Sequence, residues 1–201
     1  MENKIVEIPD WAYKFHGHKC PAMPMGYRAG LTAMEKLGVE KAGNKELYLY
    51  CENGPAHAAA CFLDGVMAAT GCTYGKSNVE KLNYAKNAIV LVDLKTNRAV
   101  RVSTRPEFFE KALNSEFVQL RKQKIEPKDI KPEVVMPLIE NVKKIDENVL
   151  FSVSEIFEKK VQLLKGTFDW HNCSKCGEIV FDNQSKIIDG ERVCIPCSEN
   201  I

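Results

Sequence analysis

The sequence predicts an α+β fold, in which a mixed β-sheet flanked by helices is joined to a small C-terminal zinc-finger domain. Strand-like and helical segments follow one another without a strict β-α-β repeat, which favours a mixed sheet over a parallel one. Two Cys-x2-Cys pairs lie near the end of the chain, and their spacing is typical of a tetrahedral zinc site. The 201 residues suffice for one domain with a sizeable core and a small appendage.

The first half of the chain is predicted to contain three helices and one strand. Apolar side chains recur at helical spacing between Met25 and Leu37, which indicates one long helix with an apolar face. Glycine after a helix readily adopts the left-handed conformation that ends it. In chain order, the predicted elements are a short helix over residues 4–15, a helix from Pro21 to about Leu37 that ends at Gly38, a strand over Glu46–Cys51 and a helix over His57–Thr70 that ends at Gly71.

The second half is predicted to add a β-hairpin, a helical region and one further strand. Ala88–Leu94 is strongly apolar, and Asn97–Thr104 is its predicted hairpin partner. Short charged helices are predicted over 106–145. The alternation of side chains over 149–154 favours a strand over a helix there.

A domain boundary is predicted near Lys165-Gly166. It separates an α+β core domain, residues 1–165, from a four-cysteine zinc finger of the treble-clef type, residues 166–201. The tail has too few apolar residues to fold alone, and a structural zinc ion supplies on the order of 10 kcal/mol of the missing free energy. Asp189-Gly190 is a favourable hairpin turn, and the residues after Cys197 predict only a stunted final helix.

Four cysteines are the predicted ligands of the finger: Cys173, Cys176, Cys194 and Cys197. Each pair places two thiolates on one side of a tight turn, and the residues between the pairs are enough for a hairpin that brings them together. We expect a closed structural site for Zn²⁺. Iron in a rubredoxin-like site stays open as the alternative metal.

A second group of ligand-type residues precedes the long helix. His16, His18 and Cys20 are spaced at i, i+2 and i+4, so an extended segment would point all three to one side. Cys20 at a helix N-terminus is placed where a thiolate is favoured. Imidazole and thiolate together suit zinc or another borderline metal, and we therefore predict a metal site here.

The predicted helix over His57–Thr70 offers further candidates. His57, Cys61 and Asp64 recur on one helical face, and Cys72 follows the helix directly. Buried free cysteines are usually small hydrophobic residues; that interpretation stays open for Cys72. For His57 a role at the start of the helix is favoured over ligation, and which histidines ligate stays open.

Composition and charge exclude several functional classes. The formal net charge is +1, with 45% hydrophobic and 27% charged residues, which is ordinary for a soluble globular protein. No apolar run approaches the roughly 20 residues that cross a bilayer, so no membrane association is expected. Half of the eight cysteines belong to the Cys-x2-Cys pairs, which favours a reducing cytoplasm over a disulfide framework. The finger carries more acidic than basic residues, which disfavours nucleic acid as a partner.

Several blocks in order along the chain resemble the FmdE family of formylmethanofuran dehydrogenase subunits. They are Phe15-His16-Gly17-His18-Lys19-Cys20-Pro21, Gly26-Tyr27-Arg28-Ala29-Gly30, Glu52-Asn53, Cys61-Phe62-Leu63-Asp64 and Thr70-Gly71-Cys72-Thr73-Tyr74-Gly75-Lys76. The C-terminal cysteine pairs resemble the auxiliary treble-clef finger of some members. The resemblance implies an α+β core, an active site that can hold zinc, and an archaeal or anaerobic bacterial source. The resemblance further implies that, in methanogens, some members accompany the molybdenum or tungsten enzyme that fixes carbon dioxide onto methanofuran.

Two functional hypotheses follow. In the first, the chain is a zinc-binding accessory or redox-associated protein with possible metal-dependent activity. Its N-terminal zinc is held by His18, Cys20 and Cys61, with His16 or Cys72 as a further group. Asp64 would orient a ligand, and Lys76 would pair with an anion at the rim.

In the alternative, the chain is an interaction module whose finger binds a partner protein, and the N-terminal cysteines are structural. Possible partners are subunits of formylmethanofuran dehydrogenase or a second copy of this chain in a homodimer.

Overall fold

The computed structural model describes residues 5–55, 60–163 and 165–199. Within it the chain forms two compact units, Met1–Val161 and Gln162–Ile201. The boundary predicted near Lys165-Gly166 lies close to this division and stays a prediction of where two domains meet. Among the described residues, no helix combines the length and apolarity that a bilayer span requires.

The larger unit combines helices and a six-stranded sheet. Its helices are α1 (Asp10–His16), α2 (Ala22–Leu37), α3 (Cys61–Thr70), α4 (Pro106–Leu113), α5 (Glu116–Lys122), α6 (Pro132–Lys144) and α7 (Glu147–Leu150). Its strands are β1 (Leu47–Cys51), β2 (Val79–Lys81), β3 (Ala88–Asp93), β4 (Arg98–Thr104), β5 (Phe151–Val153) and β6 (Phe157–Glu158). Short 3-10 helices cover Tyr74–Lys76 and Pro127–Asp129.

The sheet is mixed, which confirms the predicted fold class. Its strand order is β2-β1-β3-β4-β5, and β6 also pairs with β4. The β1–β2 pair is parallel, whereas the other pairs are antiparallel. Leu47, Leu49 and Cys51 of β1 are buried, while Tyr48 and Tyr50 between them are half-buried. This alternation faces one side of the sheet toward the helices of the main core.

Helices α2 and α3 pack with their backbones in contact. A Cβ atom on Gly65 would overlap the carbonyl oxygen of Met23, and one on Gly26 would overlap the carbonyl oxygen of Phe62. Only glycine permits so close an approach at these two positions, because every other residue carries a Cβ. The contact brings the N-terminal ends of α2 and α3 together.

A buried arginine fastens α2 to α6. Arg28 donates from Nη1 to the carbonyl oxygens of Val142 at 2.6 Å and Ile145 at 2.7 Å. These carbonyls lie at the C-terminal end of α6, where the helix leaves acceptors without intrahelical partners. Thr32 adds a 2.6 Å hydrogen bond to Glu147 of α7, so α2 is held on both its α3 and α6 sides.

The predicted helix ends agree with the structure at Gly38 and Gly71, which have φ values of +69° and +74°. The prediction differs from the structure in several places. The helix predicted over residues 4–15 begins only at Asp10, after the extended residue Pro9. Strand β2 was missed because three residues carry little periodicity. The segment over 149–154 is not one strand. Asp146 caps α7 by accepting from the Asn148 N–H at 2.8 Å, so Val149 and Leu150 are helical, and β5 covers only Phe151–Val153.

The smaller unit consists of two hairpins and a short helix. Its elements are β7 (Trp170–Asn172), β8 (Ile179–Phe181), a 3-10 turn over Asp182–Gln184, β9 (Ser185–Ile188), β10 (Glu191–Cys194) and α8 (Ile195–Glu199). Asp189 and Gly190 have φ values of +53° and +82°, as a two-residue type I′ hairpin turn requires. The predicted hairpin and the stunted final helix are both present.

Replacing Gly65 by alanine should destabilise the larger unit by about 3 kcal/mol, because the new Cβ has to displace backbone atoms of α2. Urea denaturation monitored by circular dichroism measures the change. Gly75→Ala is the matched control, since a Cβ there meets no atom within 4 Å and φ is not positive. Equal stabilities of the two variants would contradict the proposed close contact.

Candidate metal centres

Four residues of the larger unit converge on one point. His16, His18, Cys20 and Cys61 each offer one ligand atom, and these atoms lie within 4.8 Å of one another. His16 is the last residue of α1, and Cys61 is the first residue of α3. His18 and Cys20 lie on the segment between α1 and α2.

Local backbone geometry explains why the two histidines face the cysteines. Gly17 ends α1 in the left-handed conformation, at a φ of +89°, which turns the chain sharply after His16. The turn brings the rings of His16 and His18 into contact, with their centroids 4.2 Å apart and their planes tilted by 45°. Pro21 then precedes the first turn of α2, so Cys20 is held at that helix's N-terminal end.

The distances within the cluster fit one tetrahedral ion. His16 Nε2 lies 3.5 Å from Cys20 Sγ, and His18 Nε2 lies 3.9 Å from Cys61 Sγ. Bond lengths for zinc to nitrogen and sulfur give a tetrahedral N···S edge of about 3.6 Å. The four atoms could therefore ligate one ion with small adjustments of their side chains.

Asp64 orients His16 from behind. The Nδ1–H of His16 donates to Asp64 Oδ2 at 2.7 Å, which leaves Nε2 directed at the cluster. Asp64 follows Cys61 by nearly one turn of α3, so the two side chains share a helix face. The hydrogen bond to Asp64 raises the pKa of His16 to about 9. A carboxylate behind an imidazole is a common support for metal-ligating histidine.

The two cysteines divide the roles of thiol and thiolate. A hydrogen bond from Cys20, together with the nearby imidazoles, lowers the pKa of Cys61 to about 4. The same hydrogen bond and burial raise the pKa of Cys20 well above its usual value. The lowered pKa favours the thiolate form of Cys61 at neutral pH, whereas Cys20 would have to lose its proton to bind a cation.

Cys72 and Lys76 lie away from this cluster. Cys72 follows the C-terminal end of α3 and is fully buried in the main core, where burial raises the pKa of its thiol to about 11. Lys76 donates from Nζ to the carbonyl oxygens of Gly71 at 2.7 Å and Ala42 at 3.3 Å. Helix α3 has 10 residues and is about 15 Å long, so its far end is remote from Cys61.

The structure thus brings four of the five predicted N-terminal ligands together with Asp64, and it leaves Cys72 and Lys76 outside. His57 lies outside the described residues. Sequence analysis placed Cys20 and Cys61 on one ion, but it did not predict that the two sulfur groups interact directly by a hydrogen bond. No local spacing signals it, because the two residues are brought together only by the packing of α2 on α3.

The four cysteines of the smaller unit form a second cluster. The sulfur atoms of Cys173, Cys176, Cys194 and Cys197 lie within 4.8 Å of one another. The sulfur of Cys173 accepts the Cys194 N–H at 3.3 Å, and the sulfur of Cys194 accepts the Cys197 N–H at 3.4 Å. Backbone N–H groups, led by that of Cys176, lower the pKa of Cys173 to about 6. Such N–H···S bonds favour the thiolate form that metal binding requires.

His171 and Asp182 brace this second cluster without belonging to it. His171 donates from Nδ1 to Asp182 Oδ1 at 2.7 Å, and Arg192 donates to Asp182 Oδ2 at 3.0 Å. The hydrogen bond from His171 lowers the pKa of Asp182. The two contacts tie β7 and β10 to the 3-10 turn.

Comparison with known proteins finds a family match over most of the larger unit. Residues 15–152 match the family described as "FmdE, Molybdenum formylmethanofuran dehydrogenase operon". The match contains all of the N-terminal cluster, whereas the four-cysteine cluster follows it.

Two similar proteins extend beyond this match. A "Probable S-adenosyl-L-methionine-binding protein" of Archaeoglobus fulgidus is 31% identical over 98% of this chain and 54% of its own length. The chain therefore spans about half of that relative. The crystal structure of a tungsten formylmethanofuran dehydrogenase FmdE-like protein from Syntrophus aciditrophicus covers 94% of this chain and 88% of its own, with a TM-score of 0.58 and 20% identity.

The similarity to the Syntrophus protein supports the fold. Because the family match covers more than half of the chain, this protein belongs to the FmdE family.

Proposed function

We propose that this protein is a zinc-binding accessory protein of the formylmethanofuran dehydrogenase type, with one metal centre in each unit. The observation that carries the proposal is the convergence of two imidazoles and two cysteine sulfurs within 4.8 Å, with Asp64 positioned behind His16. A mixed nitrogen and sulfur donor set suits zinc better than the hard cations that prefer oxygen.

The residues of the N-terminal centre have separable roles. Cys61 supplies negative charge at neutral pH because the pKa of its thiol is lowered to about 4. His16 is held in one orientation by Asp64, which fixes Nδ1 as the protonated nitrogen and leaves Nε2 for the metal. A divalent ion bound there would supply Lewis acidity. If only three of the four groups ligate, one position stays open, as in catalytic zinc sites.

The four-cysteine centre has a structural role in this proposal. Its ligands come from two short hairpins and the helix α8. These elements bury few apolar side chains, namely Val193 with partial cover from Val180 and Ile188. So small a core does not hold a fold of this size without a further crosslink. The metal at the four-cysteine cluster therefore stabilises the smaller unit, and the N-terminal centre is the one that is available for chemistry.

Metal analysis of purified protein should find two zinc ions per chain. Cys61→Ser should reduce the content to one, because it removes the anionic ligand of the N-terminal centre. Cys72→Ser is the matched control and should retain two, since Cys72 lies in the core. Inductively coupled plasma mass spectrometry makes the measurement. A single ion in both the parent protein and Cys61→Ser would refute the N-terminal centre.

Asp64→Asn should lower the zinc affinity of the N-terminal centre by about 10- to 100-fold, as is usual when the group behind a ligating histidine is changed. Competition with a chromophoric chelator measures the affinity. Asp129→Asn changes an acidic residue far along the chain, in a short 3-10 helix, and should leave the affinity unchanged. An Asp64→Asn protein that binds zinc as tightly as the parent would show that the carboxylate does not support ligation.

A second candidate function is protein binding by the smaller unit. Trp170 and Phe181 are paired across β7 and β8 and are 56% and 51% exposed. Ile179 lies on the same face and is 63% exposed, and Phe168 nearby is 95% exposed. Contiguous exposed apolar surface of this kind marks interaction sites in many soluble proteins.

The double variant Trp170→Ser/Phe181→Ser should lose any complex with purified formylmethanofuran dehydrogenase subunits, because it removes the central aromatic pair. Light scattering coupled to gel filtration detects the complex. Ile187→Ser, on the other hairpin, changes an apolar residue that is 71% exposed, and this variant should retain the complex. If the parent protein forms no complex with these subunits, this second function is rejected for that partner.

A further inference from the structure

A cavity of about 520 Å³ lies in the larger unit, outside the candidate metal ligands. One wall is the beginning of α2, at Pro21, Ala22 and Met25. The other walls come from α4, α5, α6 and α7. The volume falls within the range of about 300–1,000 Å³ that is typical of small-molecule sites.

The interior of this cavity is mainly apolar. Phe108, Phe109 and Phe117 contribute aromatic surface, and Leu138 contributes aliphatic surface from α6. Leu113 and Val149 also line the cavity and are 39% and 51% exposed. Helix α4 has no fully buried residue, so its apolar side borders the cavity without filling it. Leaving this surface in water costs about 25 cal/mol for each Å², which favours an apolar occupant.

The charged groups of the cavity are predominantly cationic. Its charged lining residues are Arg105, Lys111 and Glu107. Arg105 donates from Nε to the carbonyl oxygen of Phe151 at 3.1 Å, which fixes the plane of its guanidinium. Among the described residues, neither Nη atom of Arg105 has an acceptor and Lys111 has no acidic partner. A fixed guanidinium with two unused donors is suited to a bidentate carboxylate.

We propose that this cavity binds an amphipathic monocarboxylate of medium chain length. The apolar chain occupies the space between α2, α4 and α6, and the carboxylate pairs with Arg105. The inference is independent of the metal centres, because it uses none of their ligands. It explains together an apolar cavity of small-molecule size and an exposed arginine at its rim that the Phe151 carbonyl orients and that has no acidic partner among the described residues.

Calorimetric titration of the full chain with octanoate tests the proposal, with 1-octanol as the neutral probe of the same chain length. Octanoate should bind at one site per chain, and 1-octanol should bind about tenfold more weakly, because it lacks the charge-assisted hydrogen bonds to Arg105. Equal affinities for the two probes, or no binding of octanoate, would overturn the proposal.

Two variants localise the site. Arg105→Gln should weaken octanoate about tenfold and leave 1-octanol unchanged, whereas Arg98→Gln, an exposed arginine of β4, should alter neither. Ala112→Trp should block both probes, because Ala112 lines the cavity. Loss of octanoate selectivity in Arg98→Gln but not in Arg105→Gln would place the carboxylate elsewhere.

Two other results would also overturn the proposal: binding of the carboxylate at the metal centre, and occupation of the cavity by a second copy of the chain. Octanoate should bind equally well to the full chain with and without added zinc, and binding that requires zinc would assign the carboxylate to the metal centre. Light scattering should give the same mass for the parent and Ala112→Trp. A dimer that Ala112→Trp dissociates would show that the cavity is filled by a second copy of the chain.

Discussion

The backbone contact between α2 and α3 determines where the N-terminal cluster lies. Gly26 and Gly65 remove the side chains that would otherwise separate the two helices. Both helices begin at the same end of this contact, so Cys20 and Cys61 meet although the β1 strand intervenes in the chain. The position of the cluster thus follows from helix packing at the two glycines. Its binding chemistry comes from the histidine and cysteine side chains at that position.

The electrostatics of the cluster are arranged before any metal binds. Asp64, His16 and Cys61 alternate negative, positive and negative charge, since the pKa of His16 is raised and that of Cys61 is lowered. Each charge is stabilised by an opposite neighbour in a partly buried site. A cation that replaces the proton on His16 Nε2 would keep this alternation. Binding would release that proton together with the thiol proton of Cys20, whose pKa is raised.

Features that depend on neighbouring residues could be predicted from the sequence, whereas features that depend on tertiary packing could not. His16, His18 and Cys20 could be predicted as a group because a single turn at Gly17 brings neighbours in the chain together. Cys72 was selected because it is adjacent to α3 in sequence, but a helix separates its ends by about 1.5 Å for each residue. The parallel strand β2 was not predicted because its three residues acquire their conformation by pairing with β1, which is distant in the chain.

Helix α1 delivers His16 to the cluster, yet it has only seven residues and a single buried one, Ala12. A helix of this length does not persist alone in water. An ion shared by His16 and Cys61 would close the intervening chain, with α2 and β1, into a covalent-like loop. Such a crosslink would stabilise the folded state, because the ion binds the assembled site and not the unfolded chain. The N-terminal ion would then stabilise the fold of this family member as well as supply its chemistry.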